Sequence, residues 1–460
     1  MWAARFWALA PELAPDMLLR DDIAFVLFSQ HPAVLNAKLS LADKLQQLPD
    51  ISAAHAAACN ACLEDSDAGR LLRVNTGYAE ACDKVAKALP LAHEVHAIAL
   101  YVPADGGRRG SKSTRCIAEH FVHQLAGTPR VKVASLVSAT TAFNSSASRQ
   151  DACVNFLRRL GKQLHALALC TVDLHTPAVA AKLAKQLTVI SQLQRLDLTD
   201  CHLTPASAGA LAPDVASLAS LTSLMLANNG LKRQGIEALQ PLTALTGLQA
   251  LALSACRIRR EGAPALLHLL PAFTALTSLD CGYNFLQGRN GQALGRCLGQ
   301  LPLRRLVLTW NMLGAGGLHR LLTSMGPLSC LQHLQLDDND LYDAGVFALS
   351  AQCKSFPGLT HLSVAGNFIT SSFAVEQLIK ELSCHSLASL NLRGNSLEDD
   401  GITAVVKALP KLGSALTSVD LSSNDVSRGT RAELAQWLQT QPALQQLQHS
   451  GLTQRARTRR

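Results

Sequence analysis

One phrase of eleven residues recurs along the C-terminal part of this 460-residue chain. Its clearest copies are LQHLQLDDNDL at residues 331–341 and LASLNLRGNSL at residues 387–397, and both read LxxLxLxxNxL. The same phrase starts at Leu193, Leu221, Leu248, Leu276, Leu303, Leu359 and Leu416, with looser copies at Leu164 and Leu444. Successive starts differ by 27 to 29 residues. A period of this length indicates stacked structural repeats, because no single copy can bury its leucines alone.

Each copy predicts a short strand followed by a turn and a helix. The Leu-x-Leu alternation in the first half is typical of a strand. The ninth residue is expected to be buried, where a side-chain amide can satisfy main-chain groups that no strand ladder reaches. This position holds Asn229, Asn284, Asn311, Asn339, Asn367, Asn395 and Asn424, and in two copies Cys201 and Cys256. A glycine near position 15, as in Gly235, Gly262, Gly317, Gly345 and Gly401, precedes apolar pairs that predict the helix.

A helix-bearing unit of this length, with the glycine before the helix and pairs such as Ala348-Leu349 within it, resembles the ribonuclease-inhibitor-like class of leucine-rich repeats. The resemblance implies an α/β solenoid, a right-handed βα horseshoe with a parallel inner sheet and outer helices. The class includes nuclease inhibitors, GTPase-activating proteins, sensor domains of innate immune receptors, axonemal scaffolds and bacterial effectors. The fold therefore does not select one function.

The repeat pattern divides the chain into four segments. We expect a helical N-terminal flank or cap at residues 1–90, degenerate repeats at 91–163, about ten leucine-rich units of 27–29 residues at 164–450, and a basic tail at 451–460. A cap is expected because the open end of a solenoid exposes leucines and an unpaired strand edge. Within the degenerate segment, Val95–Leu100 and Val133–Leu136 read as strands.

Cysteine usage favours a cytoplasmic protein, and we expect the protein to be a monomer. The chain has an odd number of cysteines, 13, and several lie within the repeat period, where core thiols are expected and a reducing compartment is favoured. These are Cys201, Cys256, Cys281, Cys297, Cys330 and Cys353. The net charge is +8, but four arginines lie in the last six residues, so no nucleic-acid partner is expected. No apolar run is long enough to span a membrane.

Two stretches raise the question of a cofactor or a metal. Residues 105–114 are rich in glycine and basic residues, but the spacing does not match a phosphate-binding P-loop, and a flexible basic loop is the simpler interpretation. Cys59 and Cys62, with Cys82 and two histidines downstream, have a spacing that permits zinc. They lie in an alanine-rich run read as helical, so buried thiols are favoured. We expect no cofactor, no metal and, without a Gly-x-Ser-x-Gly or HExxH motif, no enzyme.

The candidate binding residues lie on the inner face of the sheet. Positions 3, 5, 7 and 8 of the phrase point away from the core. Position 8 is Tyr283 in one repeat and Trp310 in the next, so their rings should be about 4.8 Å apart along the sheet. Charged residues nearby are Asp280, Arg305, His333, Asp337 and Asp338. Exposed aromatics with an arginine are typical of a binding hot spot, although Trp310 could instead cover a neighbouring helix or loop.

The sequence thus predicts a non-catalytic scaffold that binds a partner protein on the concave face of its repeats. Two other readings stay open. One is a regulatory subunit that acts on another protein, by GTPase activation or as a ubiquitin-ligase substrate receptor, for which Arg305 and Arg393 are available. The other is a host-directed bacterial effector or an axonemal or cytoskeletal scaffold.

Overall fold

The computed structural model describes residues 61–66, 69–75, 95–102 and 133–138 by their backbone alone, and residues 164–169, 173–383, 385–413, 415–430 and 432–433 more fully. The chain divides into two compact units, residues 1–230 with 238–247, and residues 231–237 with 248–460. The end of the leucine-rich segment after residue 433, with the copy that starts at Leu444, the basic tail and the loop at 105–114 lie outside the described residues.

The strands of the first unit lie side by side in chain order. They are β1 (Ala61–Ser66), β2 (Gly69–Asn75), β3 (Val95–Val102), β4 (Val133–Ser138), β5 (Ala166–Ala168), β6 (Arg195–Asp197) and β7 (Ser223–Met225). β1 and β2 pair antiparallel, and each later strand pairs parallel with the one before it. β3 and β4 confirm the two strands predicted in the degenerate segment.

The strands of the second unit are also parallel and in chain order. They are β8 (Ala250–Ala252), β9 (Ser278–Asp280), β10 (Arg305–Val307), β11 (His333–Gln335), β12 (His361–Ser363), β13 (Ser389–Asn391) and β14 (Ser418–Asp420). Along the whole described chain the helices are α1 (Pro177–Leu187), α2 (Pro205–Ala216), α3 (Lys232–Ala238), α4 (Arg259–Leu269), α5 (Gly291–Leu298), α6 (Gly314–Met325), α7 (Tyr342–Gln352), α8 (Ser372–Leu382) and α9 (Glu398–Ala408).

The leucines of the phrase form the core between strands and helices. In the repeat that begins at Leu331, the phrase leucines Leu334, Leu336 and Leu341 are, like Leu331 itself, fully buried. Equivalent residues pair across neighbouring strands, as Leu306 does with Leu334. This register stacks one layer of leucines on the next, and it confirms the predicted α/β solenoid of strand–helix repeats.

The glycine near position 15 is required by close packing at the start of α3, α4, α7 and α9. An added Cβ at Gly345 would lie 2.6 Å from Cβ of Leu341, the last leucine of the phrase. At Gly401 the same contact, with Leu397, would be 2.8 Å. Real Cβ atoms do not approach so closely, because protein interiors are already packed to crystal-like density. The glycine therefore lets the helix begin directly over the buried leucine.

The predicted ladder of buried asparagines is confirmed. Asn339 donates from Nδ2 to the carbonyl oxygens of Leu308 (2.8 Å), Leu336 (3.0 Å) and Asp337 (3.0 Å). Its Oδ1 accepts from the backbone N–H groups of Asn311 (3.0 Å) and Leu313 (3.3 Å). Each asparagine thus satisfies main-chain groups of its own repeat and of the preceding one. Cys201, at the same position, donates from Sγ to the Leu169 carbonyl at 2.8 Å.

Two expectations are corrected. The N-terminal flank at residues 1–90 was expected to be helical, but β1 and β2 form an antiparallel pair at 61–75, with Cys62 on the first strand. Helix propensity is a weak prior, and main-chain pairing between two adjacent runs outweighs it here. Cys330 was expected in the core, but it is exposed, whereas the other five repeat cysteines are buried. It follows the helix at a turn, one residue before the phrase leucine that enters the core.

Candidate partner-binding site

Tyr283 and Trp310 form an exposed stacked pair at the ends of β9 and β10. Pairing of Leu279 with Leu306 sets the two strands side by side, so position 8 of one repeat lies next to position 8 of the following one. The ring centroids are 6.0 Å apart with an interplanar angle of 13°. Phe285 meets Trp310 edge-on at 5.9 Å and 85°. Tyr283 remains 44% exposed and Trp310 42% exposed.

The backbone beneath both rings is left-handed, with φ 57° at Tyr283 and 58° at Trp310. The chain turns out of the strand at this position in every described repeat. Two later repeats place Gly366 and Gly394 there, with φ 63° and 66°. A non-glycine residue in this conformation costs about 1–2 kcal/mol. Other repeats adopt the same conformation with smaller residues, such as Asn228, Ala255 and Ser423, so it belongs to the repeat itself. What distinguishes these two neighbouring repeats is that each places a large, exposed aromatic ring at this position.

Asp338, in the next repeat, interacts with the indole. Its carboxylate accepts a hydrogen bond from the side chain of Trp310, whose only polar group is the indole N–H. Burial raises the pKa of Asp338, the Trp310 hydrogen bond lowers it, and the nearby Asp340 raises it. Three of the predicted site residues, Tyr283, Trp310 and Asp338, are therefore brought into one cluster. We call this cluster, with Phe285, the strand-end site.

Arg305 and His333 lie in a separate row near the beginning of their strands. Arg305 pairs in register with His333, which pairs with His361. The two imidazole rings are stacked at a centroid distance of 4.0 Å. Burial, followed by the charges of His361 and Arg305, lowers the pKa of His333 to about 4. Arg305 is half-buried and donates to Oε1 of Gln335 at 3.2 Å, which does not favour a role as an exposed catalytic arginine.

The remaining two predicted residues, Asp280 and Asp337, are engaged within the protein. Asp280 accepts from the Gly282 backbone at 2.9 Å, and burial raises its pKa despite this bond and the nearby Arg305. Asp337 accepts from the Ser363 hydroxyl and, at 2.8 Å, from the Ala365 N–H. Burial raises its pKa as well. Both carboxylates bond to neighbouring main-chain N–H groups, so they stabilise the turns next to the site and are not themselves available to a partner.

Comparisons with known proteins agree with this architecture. A family model described as Leucine Rich repeat matches residues 191–212, 328–350 and 383–406. The chain is 32% identical to pig ribonuclease inhibitor over 236 residues, which cover 50% of this chain and 52% of the inhibitor. It is also 32% identical to the human NACHT, LRR and PYD domains-containing protein 13 over 228 residues, 48% of this chain and 21% of that protein.

These matches support a leucine-rich repeat protein that is similar to the ribonuclease inhibitors. It spans about half the length of the inhibitor it matches. Among solved structures, a chain of the yeast Rad7–Elc1 complex is similar with a TM-score of 0.46 and 19% identity, covering 70% of this chain and 80% of that one.

Sequence reasoning missed further exposed apolar side chains of this leucine-rich repeat protein. They are Phe285, Met312, Tyr342 and Phe368, each at least 40% exposed. Three of them occupy position 10, between the buried asparagine and the buried leucine of the phrase. Because both neighbours point inward, position 10 must point outward. A large apolar residue at position 10, where the residue type differs between repeats, could therefore have predicted these exposed side chains from the sequence.

The described residues contain no group of three or more histidine, cysteine or acidic side chains placed to hold a metal ion. Nor is any helix among them long and apolar enough to cross a membrane. The Cys59–Cys62 zinc hypothesis depends on side chains outside the described residues and stays untested.

The stacked histidines predict a pH-dependent stability. His333 is neutral in the folded protein at pH 5, because its pKa is about 4, whereas an unfolded histidine with a pKa near 6.5 is protonated. The unfolded state therefore binds more protons between these values, and stability falls as the pH drops from 7 to 5. We expect wild type to lose about 1–2 kcal/mol more than a His333→Gln variant over this interval. Urea unfolding at pH 7 and pH 5 measures this loss of stability for both proteins. Equal losses would contradict the lowered pKa of His333.

Proposed function

We propose that this leucine-rich repeat protein is a non-catalytic scaffold that binds a partner protein at the strand-end site. The observation that carries the proposal is the exposed stack of Tyr283 and Trp310 on left-handed backbone, at a position where glycine suffices in other repeats. Tryptophan and tyrosine dominate binding hot spots because each buries a large area with few rotatable bonds.

Preorganisation supports the same proposal. The indole is held on one side by Tyr283, at its edge by Phe285, and at its N–H by Asp338. Little side-chain freedom remains to be lost on binding, which removes about 0.5–1.5 kcal/mol of ordering cost per side chain. A partner therefore gains most of the energy from covering these rings.

The relatives favour a protein as the ligand. The pig relative is named as an inhibitor of ribonuclease, so it acts on another protein. For this chain we propose a protein partner of the same general kind, without carrying over the ribonuclease. The buried free thiols of the repeats support a reducing compartment such as the cytoplasm. We propose that the protein acts there as a monomer.

The test is affinity capture with the full-length chain and a Trp310→Gly variant, followed by quantification of each recovered protein. Glycine already occupies this position at Gly366 and Gly394, so the backbone is unaffected and only the ring is lost. We expect at least one partner to be recovered at least tenfold less, corresponding to about 1.4 kcal/mol.

The matched control is Val189→Ser, which removes an apolar side chain that is 43% exposed and far along the sequence from the site. Partners lost with both variants would not be assigned to the strand-end site. Equal recovery of every partner by wild type and Trp310→Gly would refute the proposal.

A further inference from the structure

A second exposed aromatic surface lies where α7 and α8 begin. It consists of two ring pairs from neighbouring repeats. Tyr342 stacks on Phe368 at 5.6 Å and 22°, and Phe347 lies 5.9 Å from Phe373 at 51°. The four rings are between 40% and 58% exposed. We call them the helix-start surface; none of them belongs to the strand-end site.

Hydrogen bonds across the two repeats hold this surface together. Asp343, in the first turn of α7, accepts from the Thr370 N–H (2.9 Å), the Thr370 hydroxyl (2.8 Å) and the Ser371 N–H (2.8 Å). Burial raises the pKa of Asp343, but these bonds outweigh burial and leave the pKa below its ordinary value. In sequence, Asp343 lies between Tyr342 and Phe347, and the residues bonded to it lie between Phe368 and Phe373. The hydrogen bonds therefore join the two segments that carry the rings. The rings therefore project from a fixed edge.

The surroundings of the helix-start surface are acidic, although the whole chain carries a net charge of +8. Residues 337–407, which carry the four rings, contain nine carboxylates and four lysine or arginine residues, a net charge of −5. Three of these carboxylates occupy the first turn of α9. Two of the nearby cations are engaged within the protein: Arg320 donates to the Gly288 carbonyl at 3.0 Å, and Lys354 pairs with Glu381 at 3.6 Å. Lys380, Arg393 and Lys407 are exposed.

We propose that the helix-start surface binds an arginine- or lysine-bearing segment of a partner protein. Aromatic faces attract guanidinium and ammonium groups, with about 0.5–1 kcal/mol for each exposed contact and more when water is excluded. The surrounding carboxylates add a complementary field that steers a cationic segment toward the rings. A second copy of this chain fits poorly, because the same acidic edge would face itself.

The test uses two fluorescein-labelled peptides of equal length, octa-arginine and octa-glutamine, titrated with the full-length protein at 50 and 200 mM salt. We expect octa-arginine to bind at least tenfold more tightly than octa-glutamine at the lower salt concentration. The double variant Phe347→Gln, Phe373→Gln should weaken octa-arginine at least fivefold, and Trp310→Gly should leave it unchanged. This result separates the helix-start surface from the strand-end site.

Each other outcome overturns the proposal. Octa-arginine binding that the ring variant leaves intact would show a purely electrostatic association. Tighter octa-arginine binding by an Arg457→Gln, Arg459→Gln variant would identify the chain's own basic tail as the occupant. A dimer in sedimentation equilibrium that dissociates in the ring variant would identify a second copy. The ring variant's unfolding midpoint, expected to match wild type, controls for misfolding.

Discussion

Replacing Asn339 with alanine should lower the free energy of unfolding by about 3–5 kcal/mol, since each main-chain group left buried without a partner costs about 1–3 kcal/mol. The side chain has no exposed surface, so water cannot replace it. Removing it leaves the carbonyl oxygens of Leu308 and Leu336 without this donor. The N–H groups of Asn311 and Leu313 also lose their acceptor.

Asn339→Cys provides the matched control, because the protein already uses Cys201 at this position. A thiol can donate one hydrogen bond, as Cys201 does to the Leu169 carbonyl. We expect the cysteine variant to retain at least about 1 kcal/mol more stability than the alanine variant. Urea unfolding followed by circular dichroism measures both. If the alanine variant were as stable as the cysteine variant or more stable, the loss of these hydrogen bonds would not explain the destabilisation.

The ladder could be predicted from the sequence because it follows from spacing alone. An asparagine that recurs with the repeat period between buried leucines must itself be buried, at the turn that follows the strand. There its amide can bond to main-chain groups that the strands leave unpaired. The strands at Val95 and Val133 were likewise legible from alternation. The antiparallel pair of β1 and β2 could not be predicted in this way. It depends on contact between two segments, as in the pairing of Leu63 with Leu72, and local propensity does not encode such contact.

The candidate site was predictable in part for the same reason. Tyr283 and Trp310 share a repeat position, so their neighbourhood follows from the period. The leucine pattern does not predict the backbone conformation of the residues that follow position 8. There the φ angles alternate in sign, positive at Tyr283, Phe285 and Gln287, and this decides that Phe285 turns toward Trp310. The contact between the Asp338 carboxylate and Trp310 also depends on rotamers and could not be read from spacing.

The same two repeats are joined on their helical side by unusually close packing. Glycines at 288, 291, 295 and 299 lie against α6, and an added Cβ at any of them would meet main-chain atoms of that helix or of the residues flanking it. The layer spacing beneath Tyr283 and Trp310 is therefore set by glycine on the helical side. A change of helix spacing here acts directly on the repeats that carry the strand-end site.

Gly295→Ala should consequently destabilise the protein by about 1–3 kcal/mol, the usual cost of an atom forced into a packed interior. The new Cβ would meet the Leu321 carbonyl oxygen and lie 3.0 Å from Cβ of Ser324. Neither is the free end of a flexible side chain, so the two helices must separate.

Gly316→Ala, in the facing helix α6, tests this reasoning with the opposite sign. Its Cβ would meet only the Nη1 end of the Arg320 side chain, at 3.6 Å. Alanine is favoured over glycine within a helix by about 0.5–1 kcal/mol, so this variant should be slightly stabilised. Urea unfolding of both variants under one set of conditions decides the matter. Stabilisation of both variants would mean that general helix propensity, and not the close approach of α5 and α6, governs these glycines. Destabilisation of both would contradict the open surroundings assigned to Gly316.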